Sequence, residues 1–76
     1  MNDTDKLLKI FNDVLDNNNL NKIKELNSDY NLRDDLGFDS FSLAELTVKI
    51  ESEFGIDIFE EELVETVNQV INKINC

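Results

Sequence analysis

Ser40 is the residue best placed for chemistry, because its hydroxyl follows an aspartate at the predicted start of a helix. The stretch DDLGFDSFSLAEL, residues 34–46, puts Asp39 before it and Phe38 and Phe41 on either side. Either Asp39 or Ser40 can cap the helix by accepting a hydrogen bond from a free backbone N–H. A helix N-terminus also carries positive potential, which suits a phosphate attached to a hydroxyl. Ser40 can therefore open the helix and still accept an anionic group.

Intrinsic catalysis is not expected from this chain, which contains no histidine and one cysteine, Cys76. Without histidine there is no Ser-His-Asp or Cys-His arrangement to activate Ser40. A lone thiol forms no internal disulfide and fits a reducing compartment. The run DVLDNNNLNKIKE lacks the glycine and glutamate that a calcium loop needs at its sixth and twelfth positions, so we expect no metal site.

The chain is strongly acidic, with 17 acidic and 7 basic residues and a formal charge of −10. Such a charge repels nucleic acid and anionic membranes and steers the protein toward basic protein surfaces. Neither a signal peptide nor a membrane-length apolar run of roughly 18 residues is found. We expect one domain over residues 1–76, a cytoplasmic monomer with no nucleic-acid partner and no membrane insertion.

Helical periodicity organises the chain. Apolar spacing predicts a first helix at about 3–16 and a second at Ser40–Phe54, with Gly55 as the residue type usual after a helix end. Further apolar spacing predicts a last helix from about Thr66. The core positions of the three helices are Leu7, Phe11 and Val14; Leu43, Leu46, Ile50 and Phe54; and Val67, Val70, Ile71 and Ile74.

Two alternatives fit the start of the last helix. Thr66 and Gln69 have capping-box spacing, which predicts that the helix begins there after a short helical turn at about 60–64. One continuous helix over 60–75 satisfies the same spacing. Both alternatives give an all-α fold: a small antiparallel bundle of three main helices plus a short helix third in chain order, with a long loop between the first two.

The long loop, residues 17–39, is expected to fold on itself. Its apolar residues at 20, 23 and 26 predict a helical turn or two. Tyr30, Leu32 and Leu36 are expected to anchor it to the core, and Gly37 supplies a flexible backbone just before the second helix.

A second, smaller apolar stripe follows the second helix. Phe41 and Val48 are seven residues apart and fall opposite the core face. Glu45 shares this outer side and Glu51 lies at its margin. We expect Phe38 to be exposed together with Phe41, so that the two rings form a small platform beside Ser40.

The stretch LRDDLGFDSFSLAELTVKIESEFGIDI, residues 32–58, resembles the acyl carrier protein family, whose hallmark is an Asp-Ser-Leu-like motif opening the second helix. Here the motif is Asp39-Ser40-Phe41. The resemblance implies that a phosphopantetheinyl transferase, using coenzyme A and Mg²⁺, attaches 4′-phosphopantetheine to Ser40, and that Asp39 helps to engage this transferase. The thiol at the end of the arm would hold acyl groups as thioesters.

The resemblance also implies partners. Acyl-transferring or condensing enzymes with basic patches would contact Phe41, Val48, Glu45 and Glu51, with Phe38 as a wall of the same platform. The implied function is a non-enzymatic carrier in fatty-acid, polyketide or related specialised biosynthesis. The alternative is a small acidic interaction module without a prosthetic group.

Overall fold

The computed structural model describes residues 3–56 and 64–75. Helix α1 spans Asp3–Asn17, α2 spans Ser40–Phe54, and α3 spans Val67–Asn75. The predicted bounds of α2 are confirmed, and α1 ends one residue later than its apolar spacing indicated.

Regular structure in the described residues is helical, which confirms the all-α class with three main helices. No strand occurs in these ranges; a single isolated antiparallel bridge joins Asn31 to Thr66. Since Thr66 lies in this bridge and α3 begins at Val67, the alternative of one continuous helix over 60–75 is wrong. The expected turn at about 60–64 lies almost wholly outside the described residues.

Helices α1 and α2 pack their apolar faces against each other. The buried face of α1 consists of Leu7, Ile10, Phe11, Val14 and Leu15. The face of α2 contributes Leu43, Leu46 and Ile50 to the same core, with Phe54 partly buried against it. Each fully buried side chain of this size stabilises the fold by about 1.5–3 kcal/mol relative to an exposed one. The predicted core stripes of both helices are confirmed.

Helix α2 ends as the sequence predicts. Gly55 adopts a left-handed conformation with φ of 72°, and its backbone N–H donates to the carbonyl of Glu51 at 2.8 Å. A residue with a Cβ is strained at positive φ, so glycine closes the helix at the lowest cost.

The loop between α1 and α2 contains no helix at residues 20–26, so the predicted helical turn is wrong. Instead, the side-chain amide of Asn12 on α1 bonds both the backbone N–H and the backbone carbonyl of Ile23. The Ile23 N–H donates to Asn12 Oδ1 at 2.8 Å, and Asn12 Nδ2 donates to the Ile23 carbonyl at 2.9 Å. Leu20, Ile23 and Leu26 are partly buried against the core. Their spacing therefore reflects anchoring of a non-helical segment to the core.

The later part of the loop joins the start of α3. Leu32 and Leu36 are buried and Tyr30 is partly buried, which confirms all three as anchors. The N–H of Leu32 donates to the carbonyl of Glu65 at 2.8 Å, and that of Val67 donates to the carbonyl of Tyr30 at 3.0 Å. These two bonds join residues 30–32 of the loop to residues 65–67 at the start of α3, and so they fix the segment that leads into α2.

The capping box at the start of α3 is confirmed. Gln69 donates its N–H to Thr66 Oγ1 at 3.2 Å, while Gln69 Oε1 accepts from the Thr66 N–H at 3.0 Å. The two residues thus satisfy each other's backbone N–H groups, as the Thr-x-x-Gln spacing predicts.

Candidate functional site

A tight turn positions the start of α2. Asn31 Oδ1 accepts from the backbone N–H groups of Arg33 and Asp34, both at 2.9 Å, and Asp35 Oδ2 accepts from the Asn31 N–H at 2.7 Å. Gly37 then reverses the chain with φ of 82°. Side chains that bond to their own local backbone favour such turns over regular helix. The sequence NLRDDLG therefore delivers the next residues in a fixed direction.

Asp39 is the N-cap of α2. Its backbone is extended, with φ of −106° and ψ of −171°, and its Oδ1 accepts from the Ser42 N–H at 2.9 Å. Of the two candidate caps, Asp39 is confirmed and Ser40 is wrong, because Ser40 is already the first helical residue. A cap lies outside the helix and reaches back over it, which the residue before Ser40 is placed to do.

Ser40 presents its hydroxyl to solvent at the first position of α2. Within the described part of the chain, neither its hydroxyl nor its backbone N–H donates a hydrogen bond. The N-terminal end of a helix carries roughly half a positive charge, which favours a phosphate oxygen placed there. An exposed, unengaged hydroxyl in this field fits a covalently attached phosphodiester.

The carboxylate beside Ser40 is kept ionised. Hydrogen bonds from the backbone N–H and then the hydroxyl of Ser42 lower the pKa of Asp39 below its ordinary value, against a smaller opposing effect of desolvation. Donors that stabilise the charged form shift a carboxyl pKa in this direction. Asp39 therefore carries its negative charge at every pH near neutrality.

Phe38 and Phe41 have opposite environments, and the expected exposure of Phe38 is wrong. The Phe38 side chain is 3% exposed, with its ring centroid 5.9 Å from that of Phe11, whereas Phe41 is 83% exposed. The turn at Gly37 directs Phe38 into the core, so it offers no surface to a partner. An apolar residue before the cap and another at the fourth helical position, here Leu43, form the pattern of a hydrophobic staple. That spacing was the clue to the burial of Phe38.

The outer face of α2 is apolar at its centre. Val48 is 65% exposed and Ala44 lies exposed between it and Phe41, so the predicted second stripe is confirmed as a surface feature. Glu51 is exposed at the margin of the stripe. The patch formed by Phe41, Ala44 and Val48 is called the outer stripe below.

Glu45 lies beside the outer stripe and is engaged within the molecule. Its Oε2 accepts from Asn17 Nδ2 at 2.7 Å and its Oε1 accepts from Asn18 Nδ2 at 3.2 Å. These bonds link the end of α1 to the middle of α2. The Glu45 side chain is therefore held by neutral amides beside the outer stripe.

Ser42 belongs to the site although the sequence interpretation did not single it out. Its side chain is 1% exposed, and its hydroxyl donates to Asp39 Oδ1 at 3.0 Å. The separation of three residues between Asp39 and Ser42 is that of a cap and the helical residue it bonds, and this spacing could have identified the pair.

The described residues contain neither a group of three metal-ligating side chains nor a helix long and apolar enough to cross a membrane. The candidate site in this part of the chain therefore consists of the Ser40 hydroxyl, the Asp39 carboxylate and the outer stripe.

Comparison with known proteins gives the family. The profile described as "Phosphopantetheine attachment site" matches residues 5–74. An acyl carrier protein of Rickettsia bellii strain OSU 85-389 is 39% identical over 71 residues, covering 91% of this chain and 83% of the relative. One of strain RML369-C is 40% identical over 63 residues, covering 80% and 73%.

No solved structure matches the chain. The family match covers nearly the whole sequence, and these relatives are carriers by name. Members carry a covalent 4′-phosphopantetheine group, and the protein is a carrier and not a catalyst. The chain belongs to the acyl carrier protein family, whose mark is a phosphopantetheine attachment site.

Proposed function

We propose that Ser40 is the attachment point of the phosphopantetheine arm. The observation that carries this proposal is its exposed hydroxyl at the first position of α2, without a hydrogen bond to any described residue. Because Asp39 provides the cap, a change at Ser40 Oγ leaves the helix start intact. The same hydroxyl lies in the positive potential of the helix N-terminus, which stabilises the phosphodiester once it has formed.

The attachment reaction needs a base to take the proton of the Ser40 hydroxyl. In the reaction, a bond forms between Ser40 Oγ and the phosphorus that carries the pantetheine, while the bond from that phosphorus to the rest of coenzyme A breaks. The hydroxyl proton must leave, and the sequence has no histidine to accept it. We assign this base and the Mg²⁺ to the phosphopantetheinyl transferase, and to this chain the presentation of a reachable hydroxyl.

Asp39 supplies a fixed negative charge beside that hydroxyl. Two hydrogen bonds from Ser42 hold its Oδ1 and lower its pKa. A carboxylate next to an incoming diphosphate is repulsive unless a cation lies between them. We therefore propose that Asp39 meets the Mg²⁺ of the transferase or a basic side chain near it.

The arm, once attached, supplies the thiol that holds an acyl group as a thioester. The outer stripe then lies next to the arm, and we propose that partner enzymes dock on it. Phe41 and Val48 offer apolar contact, and Glu51 and Glu45 offer acids to a basic patch. Rim charges of this kind raise association rates more than affinity. Phe38 is left out of this surface because it is buried.

The pathway is proposed at the level of chemistry. The carrier would deliver acyl intermediates to acyl-transferring or condensing enzymes of fatty-acid, polyketide or related specialised biosynthesis. We place this role in the cytoplasm, with the chain acting as one monomeric domain. The acidic charge of −10 favours basic partner surfaces in each of these cases.

Loading in vitro tests the proposal. The wild type, Ser40→Ala and Ser52→Ala are incubated with coenzyme A, Mg²⁺ and a broad-specificity phosphopantetheinyl transferase, and their intact masses are measured. Ser52 is exposed on the same helix and serves as the matched control. We expect one added phosphopantetheine on the wild type and on Ser52→Ala, and none on Ser40→Ala. A wild type that gains no mass would instead support an acidic interaction module without a prosthetic group.

A further inference from the structure

Ser42 is a buried polar residue in the first turn of α2. Its side chain is 1% exposed, and it is the polar residue that lies fully buried in the described part of the chain. Both of its donors point to one atom: the backbone N–H and the hydroxyl reach Asp39 Oδ1 at 2.9 and 3.0 Å. Burying a hydroxyl is unfavourable unless it is hydrogen-bonded, and here the bond that compensates is the one to Asp39.

The helix cap does not require this hydroxyl. The N-cap bond is made by the backbone N–H of Ser42, which any residue except proline supplies. An alanine at this position would keep that bond, have a higher helix propensity and avoid burying a polar group. What the hydroxyl adds is a second donor to the same carboxylate oxygen, which restricts Asp39 to one side-chain orientation.

We propose that Ser42 is a positioning residue for attachment of the phosphopantetheine arm, acting through Asp39. Ser42 holds Asp39 Oδ1 with two donors and so fixes the Asp39 carboxylate beside Ser40. Ser42 makes no bond to the other carboxylate oxygen, Oδ2. A transferase bound to its coenzyme A and Mg²⁺ then meets a pre-oriented charge. This inference rests on the proposed function, because it assumes that Ser40 is the modified residue.

The electrostatics of the pair agree with this role. The backbone N–H of Ser42 is the largest cause of the lowered Asp39 pKa, and the hydroxyl is the second. Charge-assisted hydrogen bonds are about twice as strong as neutral ones, and they lose strength when the carboxylate rotates away. Removing the hydroxyl should therefore leave the carboxylate held by the backbone N–H alone and bring its pKa partly back toward the ordinary value.

A double-mutant cycle tests the proposal with two readouts. The first is the Asp39 pKa, followed by NMR of its side-chain carboxyl carbon in the wild type and in Ser42→Ala. The second is kcat/KM for loading of the wild type, Ser42→Ala, Asp39→Ala and the double variant. All are assayed at a temperature where circular dichroism shows each of them folded. Ser52→Ala is again the control, and Ser42→Cys, similar in size but a weaker donor, is used if Ser42→Ala does not fold.

We expect Ser42→Ala to raise the Asp39 pKa and to lower kcat/KM roughly three- to tenfold, mainly through KM, as loss of one typical hydrogen bond predicts when the Ser42 backbone N–H still holds Asp39. In the Asp39→Ala background the same change should have no further effect, because the two residues act as a unit.

Two results would overturn the inference while leaving the proposed function intact. One is a Ser42→Ala variant that loads like the wild type with an unchanged Asp39 pKa. The other is an equal loss of loading with and without Asp39, which indicates a purely structural role for Ser42. A wild type that is not loaded under the same conditions would overturn the proposed function and the inference with it.

Discussion

Helices α2 and α3 begin with similar local chemistry, but they satisfy their first backbone N–H groups in different ways. At α3, the N–H groups of Val67 and Asn68 donate to loop carbonyls, and that of Gln69 donates to Thr66 Oγ1. At α2, the cap Asp39 accepts from Ser42, while Ser40 donates to no described residue. One helix start is closed by the protein's own groups, and the other is left open beside a hydroxyl.

This difference shows how a fold selects one helix N-terminus for function. Both ends have the same partial positive charge, so charge alone does not distinguish them. The distinction arises because the loop carbonyls of Ser28 and Tyr30 accept from the first N–H groups of α3, whereas no described loop group accepts from Ser40. A hydroxyl at the start of α3 serves as a cap, whereas the one at the start of α2 is available for modification.

The largest expected effect is on phosphopantetheine loading, which should depend on the hydroxyl at the start of α2 and not on the one at the start of α3. Ser40→Ala should abolish loading with phosphopantetheine and change the free energy of unfolding by no more than about 0.5 kcal/mol, because the side chain is exposed and unbonded. Thr66→Ala should load like the wild type. Intact mass and urea denaturation measure the two properties. Loss of loading in Thr66→Ala at a temperature where it is folded would break the comparison.

The second-largest effect should be a difference in stability between variants of Phe38 and Phe41, which lie on either side of the start of α2. Phe38→Ala removes a buried ring packed on Phe11 and should lower the free energy of unfolding by about 3–5 kcal/mol. Phe41→Ala removes an exposed ring and should change it by less than about 0.5 kcal/mol. Thermal and urea unfolding give both values. Equal destabilisation would mean that Phe41 also packs in the core.

The Thr66 cap at the start of α3 should contribute to the free energy of unfolding about as much as an ordinary helix cap. Thr66→Ala removes the hydroxyl that accepts from Gln69 and should lower the free energy of unfolding by about 0.5–2 kcal/mol. The nine residues of α3 make it too short to be stable without its cap and packing. Asn72→Ala, at an exposed position of α3, is the control and should have little effect. A silent Thr66→Ala would show that the loop carbonyls alone hold this end.

The smallest effect concerns pH. The folded-state pKa of Asp39 is depressed, so its charge contributes stability above the unfolded pKa of about 3.9, and this is lost as pH falls through the folded value. The stability difference between wild type and Asp39→Asn should therefore be present at pH 7 and shrink in acid. The difference for Thr66→Ala should not change with pH, because no charge is involved. Urea titrations at several pH values compare them, and a constant Asp39 difference would contradict the assigned pKa direction.

Local patterns explain what the sequence predicted well. The bounds of α2 follow from Asp39 before it and Gly55 after it, and the start of α3 follows from the Thr66–Gln69 pair. These features act within a few residues, so periodicity and capping rules capture them. The exposure of Phe41 was predicted for the same reason, since its position on α2 fixes its direction.

The failures lie where helical periodicity gives no information. The loop at residues 20–26 is shaped by Asn12, which lies 11 positions before Ile23, and no local rule indicates that pairing. Phe38 precedes α2, so helical periodicity does not give its direction; the local clue to its burial was the staple spacing to Leu43. The spacing of Asp39 and Ser42 indicates a capping pair, but the burial of the Ser42 hydroxyl, on which its proposed role depends, is seen only in the structure.

The most direct test of the account is to locate the modification on the chain. Wild-type protein is loaded in vitro, and fragmentation mass spectrometry then assigns the phosphopantetheine to a residue. The account predicts that the group is found on Ser40 alone, although Ser42 lies two positions away and Thr66 also lies at a helix start. A group on Ser42 or Thr66, or full loading of Ser40→Ala, would contradict it.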